Sequence, residues 1–342
     1  MTWKDKTVSV IGAGSWGTAL AHHLGSKGVL TRLWVFEPEV LASLEERREN
    51  PVFLPGVKLS RHITVTGDLA AAAQDQPLVI MAVPSHVYRS VLVQLTPHLL
   101  PETVLVSATK GIEGDTLLTM EGLVREVMGP ETAYAVLSGP SFAAEVARRQ
   151  PTAVTVASRQ RSVATRIQRL LSSPNLRVYS SYDVTGVELG GALKNVMALG
   201  AGILEGLGLG ANPRAALITR GLAEISRLGV RLGANPMTLT GLAGLGDLVL
   251  TCTSCQSRNY QVGLQLGKGK KLAEILTDMQ MVAEGVKTAW AAYHLAQKLA
   301  IDMPIVEQVY YILYEDHSPQ EAIQRLMARE LKDEFDAMSQ TW

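Results

Sequence analysis

The sequence predicts an α/β domain built on a mostly parallel sheet, followed by an all-α helical domain. From residue 7 to about 180, short apolar runs rich in β-branched residues alternate with helix-length segments. After about residue 185 the runs stop and helical periodicity takes over. A glycine-rich turn joins the first run to the first helical segment. The boundary is therefore expected between residues 1–185 and 186–342. Length agrees, because 342 residues at roughly 150 per domain make about two domains.

The strand runs are TVSVIGAG (7–14), TRLWVFE (31–37), PLVIMAVP (77–84), TVLVSATK (103–110), AYAVLSGP (133–140), PTAVTVAS (151–158) and LRVYSS (176–181). Runs this apolar suit strands buried on both faces. Thr18–Lys27, Val40–Asn50, His86–Leu95 and Leu117–Met128 have the length and partial periodicity of the helices that cover such a sheet. In the second half the clearest helices are AALITRGLAEISRLGVRLG, GVKTAWAAYHLAQKLA, VEQVYYILYE and PQEAIQRLMARELKD, with fraying expected from about Asp333. Fourteen of the 30 glycines fall between Gly186 and Gly246. Each glycine inside a helix costs about 1 kcal/mol relative to alanine, so the cluster requires either close helix packing or close ligand approach.

Composition narrows the partners. Lys+Arg at 32 equals Asp+Glu at 32, so no broad basic field holds nucleic acid or an anionic membrane, and any bound anion needs local charges. With 47% hydrophobic and 19% charged residues the chain is of globular type. Two cysteines, Cys252 and Cys255, cannot build a disulfide framework, which points to a reducing, cytoplasmic location. Their C-x-x-C spacing has no second cysteine pair or suitably spaced histidine, so no metal is expected. No secretory signal is expected at the start of the sequence. The most membrane-like window, Gly186 to Gly210, carries Glu188, Lys194 and Glu205, which argue against a spanning helix.

Gly12, Gly14 and Gly17 form G-x-G-x-x-G directly after the first strand run and at the start of a helix. In that context the glycines allow a tight turn and close backbone approach to a pyrophosphate, as in a Rossmann dinucleotide site. Glu37 ends the second strand run, 20 residues past Gly17. An acid there accepts hydrogen bonds from a ribose 2′-hydroxyl and repels a 2′-phosphate, which favours NAD, although Arg32 and Arg47 are within the same stretch. Val83-Pro84-Ser85, Ala108-Thr109-Lys110 and Ser138-Gly139-Pro140-Ser141 follow other strand runs and should meet in one crevice. Lys110 is a solvated loop charge or a ligand contact; Ser141 has a second reading as helix N-cap for FAAEVARR.

In the helical half, Lys194 and Asn195 lie inside an apolar, glycine-rich segment. Such a lysine either snorkels or is used, and desolvation would tune it for proton transfer near neutral pH. Asp247 stands in a similar setting, and pairing with a lysine is one way to satisfy both. Ser257, Arg258 and Asn259 supply a hydroxyl, a guanidinium and an amide in succession, suited to a phosphate monoester or to an ordinary loop.

These segments together resemble NAD(P)-dependent glycerol-3-phosphate dehydrogenase of the bacterial type. The likeness runs over nearly the whole chain through IGAGSWGTALA (11–21), VPSH (83–86), ATKGIE (108–113), SGPSFAAEV (138–146), GVELGGALKNV (186–196), NPRAALITRGLAE (212–224), GLAGLGDLVLTCTS (241–254), SRN (257–259) and VAEGVKT (282–288). The resemblance implies a Rossmann domain followed by a helical domain like the C-terminal part of 6-phosphogluconate dehydrogenase. It also implies interconversion of dihydroxyacetone phosphate and sn-glycerol 3-phosphate with NADH or NADPH, for phospholipid synthesis. Lys194 is implied as proton acceptor in oxidation, with substrate contacts at Lys110, Gly139, Ser141, Lys194, Asp247, Ser257, Arg258 and Asn259. Cofactor contacts are implied at Ser15, Trp16, Lys110, Ala143, Arg258, Val282 and Glu284, together with the glycine turn and Glu37. Phe36 occupies a cofactor-contact position that is often basic in relatives. A homodimer is the default oligomer. The alternatives are a Rossmann-plus-helical dehydrogenase of 3-hydroxyacids or sugar acids, and a non-catalytic NADH-sensing protein.

Overall fold

The computed structural model describes residues 7–277, 279, 283–331 and 333–334. Among these the strands are β1 (Val8–Ile11), β2 (Thr31–Trp34), β3 (Glu49–Asn50), β4 (Leu54–Lys58), β5 (Ile63–Thr66), β6 (Leu78–Met81), β7 (Val104–Ser107), β8 (Tyr134–Ser138), β9 (Thr152–Ala157) and β10 (Leu176–Ser181). Eight form one sheet in the order β10-β9-β8-β7-β6-β1-β2-β5; β3 and β4 pair separately. Within the large sheet only β8 and β9 run antiparallel. The mostly parallel sheet and the helical second half are as the sequence predicts.

Each apolar run becomes a strand, and the central strands β1, β6, β7 and β8 are buried along their whole length. Three strands escape the sequence pattern. The edge strand β5 (ITVT) is partly open to solvent, and β3 and β4 form a short hairpin that turns through Pro51, Val52 and Phe53. LRVYSS corrects an expectation: β10 is the opposite edge, with Leu176 and Val178 buried but Arg177 and Tyr179 exposed. One face of that strand has no helix to cover it.

Strand order reverses at β1, which lies between β6 and β2. In an open α/β sheet this opens a crevice beyond the carboxyl ends of the strands. The chain leaves the sheet at Ser181 and enters the helix Val184–Gly206, which the Asp183 carboxylate caps by accepting from the Gly186 amide at 2.8 Å. Among the described residues this is the one helix long and apolar enough to cross a membrane, and its apolar stretch is buried in the fold. Its apolarity is that of a core helix with neighbours all round.

The glycine surplus has two uses. A Cβ on Gly202 would collide with the backbone of Tyr260, and one on Gly263 with the Leu199 carbonyl. Gly206 and Gly267 likewise face each other's backbone. The helices Val184–Gly206 and Arg258–Gly267 therefore touch main chain to main chain. Their contacts keep a constant offset, Leu199 opposite Gly263 and Ile203 opposite Gly267, so the helices run parallel. Asn195 and Asn259 both meet Gly285, which extends the same register. Lys194 and Arg258 thus stand at the same level on adjacent helices. Gly190 and Gly191 serve the second use, at the crevice.

Glu188 fastens the first helix of this half to the sheet. Its Oε1 accepts from the Glu121 amide at 2.9 Å and the Tyr134 hydroxyl at 2.5 Å. Burial pushes its pKa up to about 7.

Candidate active site

The crevice is built from strand ends on one side and the helical half on the other. At the end of β1, Gly12 has φ +107°, and a Cβ there would come within 2.8 Å of the Ala82 carbonyl oxygen. Only glycine suits this position. Asn50 Nδ2 and Thr18 Oγ1 both donate to the Ala13 carbonyl, at 2.8 and 2.9 Å, and hold the turn. A Cβ on Gly14 would meet nothing within 4 Å, so that side of the turn opens outward. The helix Ser15–Ser26 starts there with no side-chain cap and no acid in its first turn. Its N-terminal field is left for an anion, and the residues present fit a pyrophosphate. Trp16 Nε1 is buried beside this turn without a hydrogen-bond partner among the described residues. Phe36 and Glu37 lie apart, at the carboxyl end of β2: Phe36 is 74% exposed, with its ring 5.9 Å from that of Trp34.

The ionic centre is Lys194, Asp247 and Lys110. Lys194 Nζ donates to Asp247 Oδ1 at 2.5 Å and to Thr251 Oγ1 at 2.8 Å. Lys110 Nζ donates to Asp247 Oδ2 at 2.6 Å and is 3.3 Å from the Gly139 carbonyl. Asp247 is fully buried, Lys194 nearly so, and Lys110 partly open. Asp247 follows a single π-helical turn, Leu242–Gly246, whose Ala243 carbonyl packs against Gly190; a Cβ on Gly190 would sit 2.6 Å from it. A Cβ on Gly191 would sit 2.5 Å from Ser138 Oγ and 3.5 Å from Lys110 Cγ. The adjacent glycines let both walls close on the helix that carries Lys194.

Electrostatics follow from the geometry. Desolvation, opposed in part by Asp247 and reinforced by the neighbouring Lys110, brings the Lys194 pKa down to about 8. Burial alone would raise the Asp247 carboxyl, but the two ammonium groups overcome it and hold it below its ordinary value. The cluster is a lysine able to exchange a proton near neutrality beside a carboxylate that stays ionised.

Ser257, Arg258 and Asn259 begin the helix Arg258–Gly267. Ser257 Oγ caps that helix by accepting from the Tyr260 amide at 3.2 Å and keeps its own proton to donate. Asn259 Oδ1 accepts from the Gly285 amide at 2.9 Å, which aims the opposite side of the amide elsewhere. Arg258 makes no hydrogen bond or ion pair among the described residues. It is exposed, yet the surrounding protein desolvates it enough to lower its pKa, as happens on the wall of a concavity. The nearby Glu284 binds Ser85: Oε1 accepts from the amide at 3.1 Å and Oε2 from the hydroxyl. That contact ties the helical half to the strand end after β6.

Ser141 donates to the Gly139 carbonyl at 2.9 Å, while the helix Ala143–Ala147 starts from Phe142 with no side-chain cap. The N-cap reading of Ser141 is therefore replaced by a turn-bracing one. Gly139 has φ +137°, with a Cβ excluded by Val154 at 3.0 Å. Ala143 opens the short helix next to this turn. Val282 lies outside the described residues. Cys252 is buried, its thiol pushed up to about 12, and Cys255 is exposed. Thr251 went unnamed as a contact in the sequence, and the specific partner of Ser85 was not foreseen. Thr251 lies four residues after Asp247, one helical turn on, and donates to its carbonyl at 2.6 Å. Ser85 has a partner 199 residues away.

A family profile of the NAD-dependent glycerol-3-phosphate dehydrogenase N-terminus matches residues 7–164, and the corresponding C-terminus profile matches residues 183–324. The chain is 53% identical over 331 residues to the Syntrophobacter fumaroxidans protein named glycerol-3-phosphate dehydrogenase (NAD(P)+), covering 96% of this chain and 97% of that one. The Geobacter sulfurreducens protein of the same name is 54% identical over 332 residues, with 96% and 99% covered. Among solved structures, glycerol-3-phosphate dehydrogenase from Coxiella burnetii superposes with a TM-score of 0.92 at 40% identity, covering 95% of this chain and all of that one.

Proposed function

Because this chain belongs to the NAD-dependent glycerol-3-phosphate dehydrogenase family, we propose that Lys194 is its proton-transfer residue and that Ser257, Arg258 and Asn259 seat the substrate phosphate. The enzyme interconverts dihydroxyacetone phosphate and sn-glycerol 3-phosphate by hydride transfer with NAD(P)H. A different Rossmann-plus-helical dehydrogenase, or a non-catalytic sensor, is not favoured, given full-length relatives that share one enzymatic name.

One observation carries the residue assignment: the buried Lys194–Asp247–Lys110 cluster lies where the sheet's carboxyl edge meets the helical half, level with Arg258. A bound nicotinamide supplies the hydride. Lys194, as ammonium, protonates the oxygen at the reacting carbon in reduction and, as amine, takes that proton in oxidation. Lys110 stands on the other side of Asp247 and stabilises negative charge developing on the same oxygen. Asp247 holds both lysines in place, and Thr251 fixes the Lys194 rotamer. Arg258, with the Ser257 hydroxyl and the Asn259 amide, holds the phosphate and so orients the carbonyl. Lys110, Gly139 and Ser141 complete the substrate wall; Ala143, Val282 and Glu284 belong to the cofactor side of this reading. A cytoplasmic homodimer is part of it too, resting on two free cysteines and the prevalence of twofold oligomers.

The Lys194 value sets the sign of the pH response. Reduction needs the ammonium, so its kcat should fall as pH rises through about 8, while oxidation should rise over the same range. Steady-state profiles in both directions test this; a flat reduction profile through that region would detach Lys194 from the proton step. Arg258→Ala removes a charged phosphate contact worth about 1.5–3 kcal/mol, so kcat/KM for the phosphorylated ketone should drop roughly ten- to hundredfold. Dihydroxyacetone, which has no phosphate, should be turned over almost as by the parent. Equal losses on both ketones would refute the phosphate assignment.

A further inference from the structure

We propose that this chain selects NADH over NADPH and that Glu37 sets the choice. The inference rests on the reading that the Gly12–Gly17 turn holds a dinucleotide, and extends it to the adenosine end of the crevice. Glu37 ends the stretch after β2 and precedes the helix Pro38–Arg47 as its N-cap residue, with no side-chain capping bond. Its carboxylate is half-buried and makes no hydrogen bond or ion pair among the described residues. It is therefore available to a vicinal diol.

A 2′-phosphate would need a cation at this corner, and each arginine of the surrounding stretch is committed elsewhere. Arg32 Nη1 donates to the carbonyls of Ala71 at 2.9 Å and Gln74 at 3.0 Å. Arg48 donates to the carbonyls of Leu59 at 3.2 Å, Ser60 and Ile63 at 3.0 Å. Arg47 stands at the far end of its helix, roughly 15 Å along the axis from Glu37, with Glu46 3.6 Å from its guanidinium. The neighbouring strand β5 adds no positive charge, because Asp68 follows it and its carboxylate caps the helix Leu69–Ala73. The indole of Trp34 bonds to Gly67 between these two strand ends, and Phe36 leans on Trp34 with most of its ring exposed. The corner thus presents an apolar shelf suited to a purine and two carboxylates. A 2′-phosphate brought there meets like charge with no counter-ion, whereas a 2′-hydroxyl finds an acceptor.

Calorimetric titration of the full chain with NADH and with NADPH, without substrate, reads the choice as a ratio of Kd values. NADH should bind about tenfold tighter or more at low salt, and the gap should narrow as salt screens the repulsion. Glu37→Ser keeps a good N-cap residue, so the fold is not put at risk. In that variant NADPH should gain affinity and NADH lose some, leaving the two within about threefold. Glu37→Gln, which removes only the charge, should move the ratio in the same direction. Equal or tighter NADPH binding by the parent overturns the selectivity, and a ratio unmoved in both variants overturns the role of Glu37. If neither dinucleotide binds, the dinucleotide reading of the glycine turn fails and this inference with it.

Discussion

Lys194→Ala should lower kcat for dihydroxyacetone phosphate reduction by about 10²–10⁴-fold, the usual contribution of a positioned proton donor. The side chain is buried, bonds to Asp247 and Thr251, and has a pKa brought down to about 8, so at neutral pH it is both charged and willing to give up a proton. No other described group takes over, because Lys110 reaches Asp247 from the opposite carboxylate oxygen. The truncation leaves Asp247 paired with Lys110, which protects the fold. Thermal melting of the variant should stay near that of the parent while single-turnover hydride transfer slows. Near-parental turnover in the variant would remove Lys194 from the chemistry.

Asp247→Asn has the second large effect, and on two quantities at once. Asp247 is a fully buried anion between two ammonium groups. Neutralising it leaves Lys194 buried beside Lys110 with nothing to offset their repulsion. Removing one partner of a buried pair costs about 3–5 kcal/mol, and the lower end applies because Lys110 is partly open and can turn to water. Lys194 responds by losing its proton at lower pH. Denaturant unfolding should therefore show a loss of about 3 kcal/mol near neutrality, shrinking as rising pH discharges Lys194. The reduction profile should shift to lower pH in parallel. A variant as stable as the parent, with an unshifted profile, would show that the carboxylate does not hold the pair.

The sheet was legible because its central strands are buried on both faces and admit almost no polar residue; VSVI, LVIM and VLVS read as strands without help. The edges were less so: β5 is short, partly open to solvent and resembles a loop, while β10 read as a strand but not as one with an exposed face. The glycine turn was legible because its backbone conformation excludes side chains. The Lys194–Asp247 pair was visible as two charges in apolar glycine-rich surroundings, each needing a partner. Roles for Ser257, Arg258 and Asn259 came with the family resemblance, because a polar triplet at a helix start carries no signature of its own. Thr251 was hidden in an apolar helix, although its spacing from Asp247 places it on the same face. The Glu284–Ser85 contact joins positions too far apart in the chain for any local pattern to reveal. The glycine cluster, read as packing or ligand approach, shows packing in two directions: Gly202 and Gly206 against a helix, Gly190 and Gly191 against the turn and strand end that wall the crevice.

The main-chain contact between the helices of Lys194 and Arg258 also acts as a fixed calliper. Side chains bend and re-rotamerise, but two backbones in direct touch cannot slide without breaking the contact at Gly202, Gly263 and Gly267 together. With the roles proposed for Lys194 and Arg258, the spacing of the two helix backbones that carry proton donor and phosphate seat is consequently a property of helix register. A substrate one carbon longer would have to be met by the flexible Lys194 and Arg258 side chains, because the backbones that carry them are held in register.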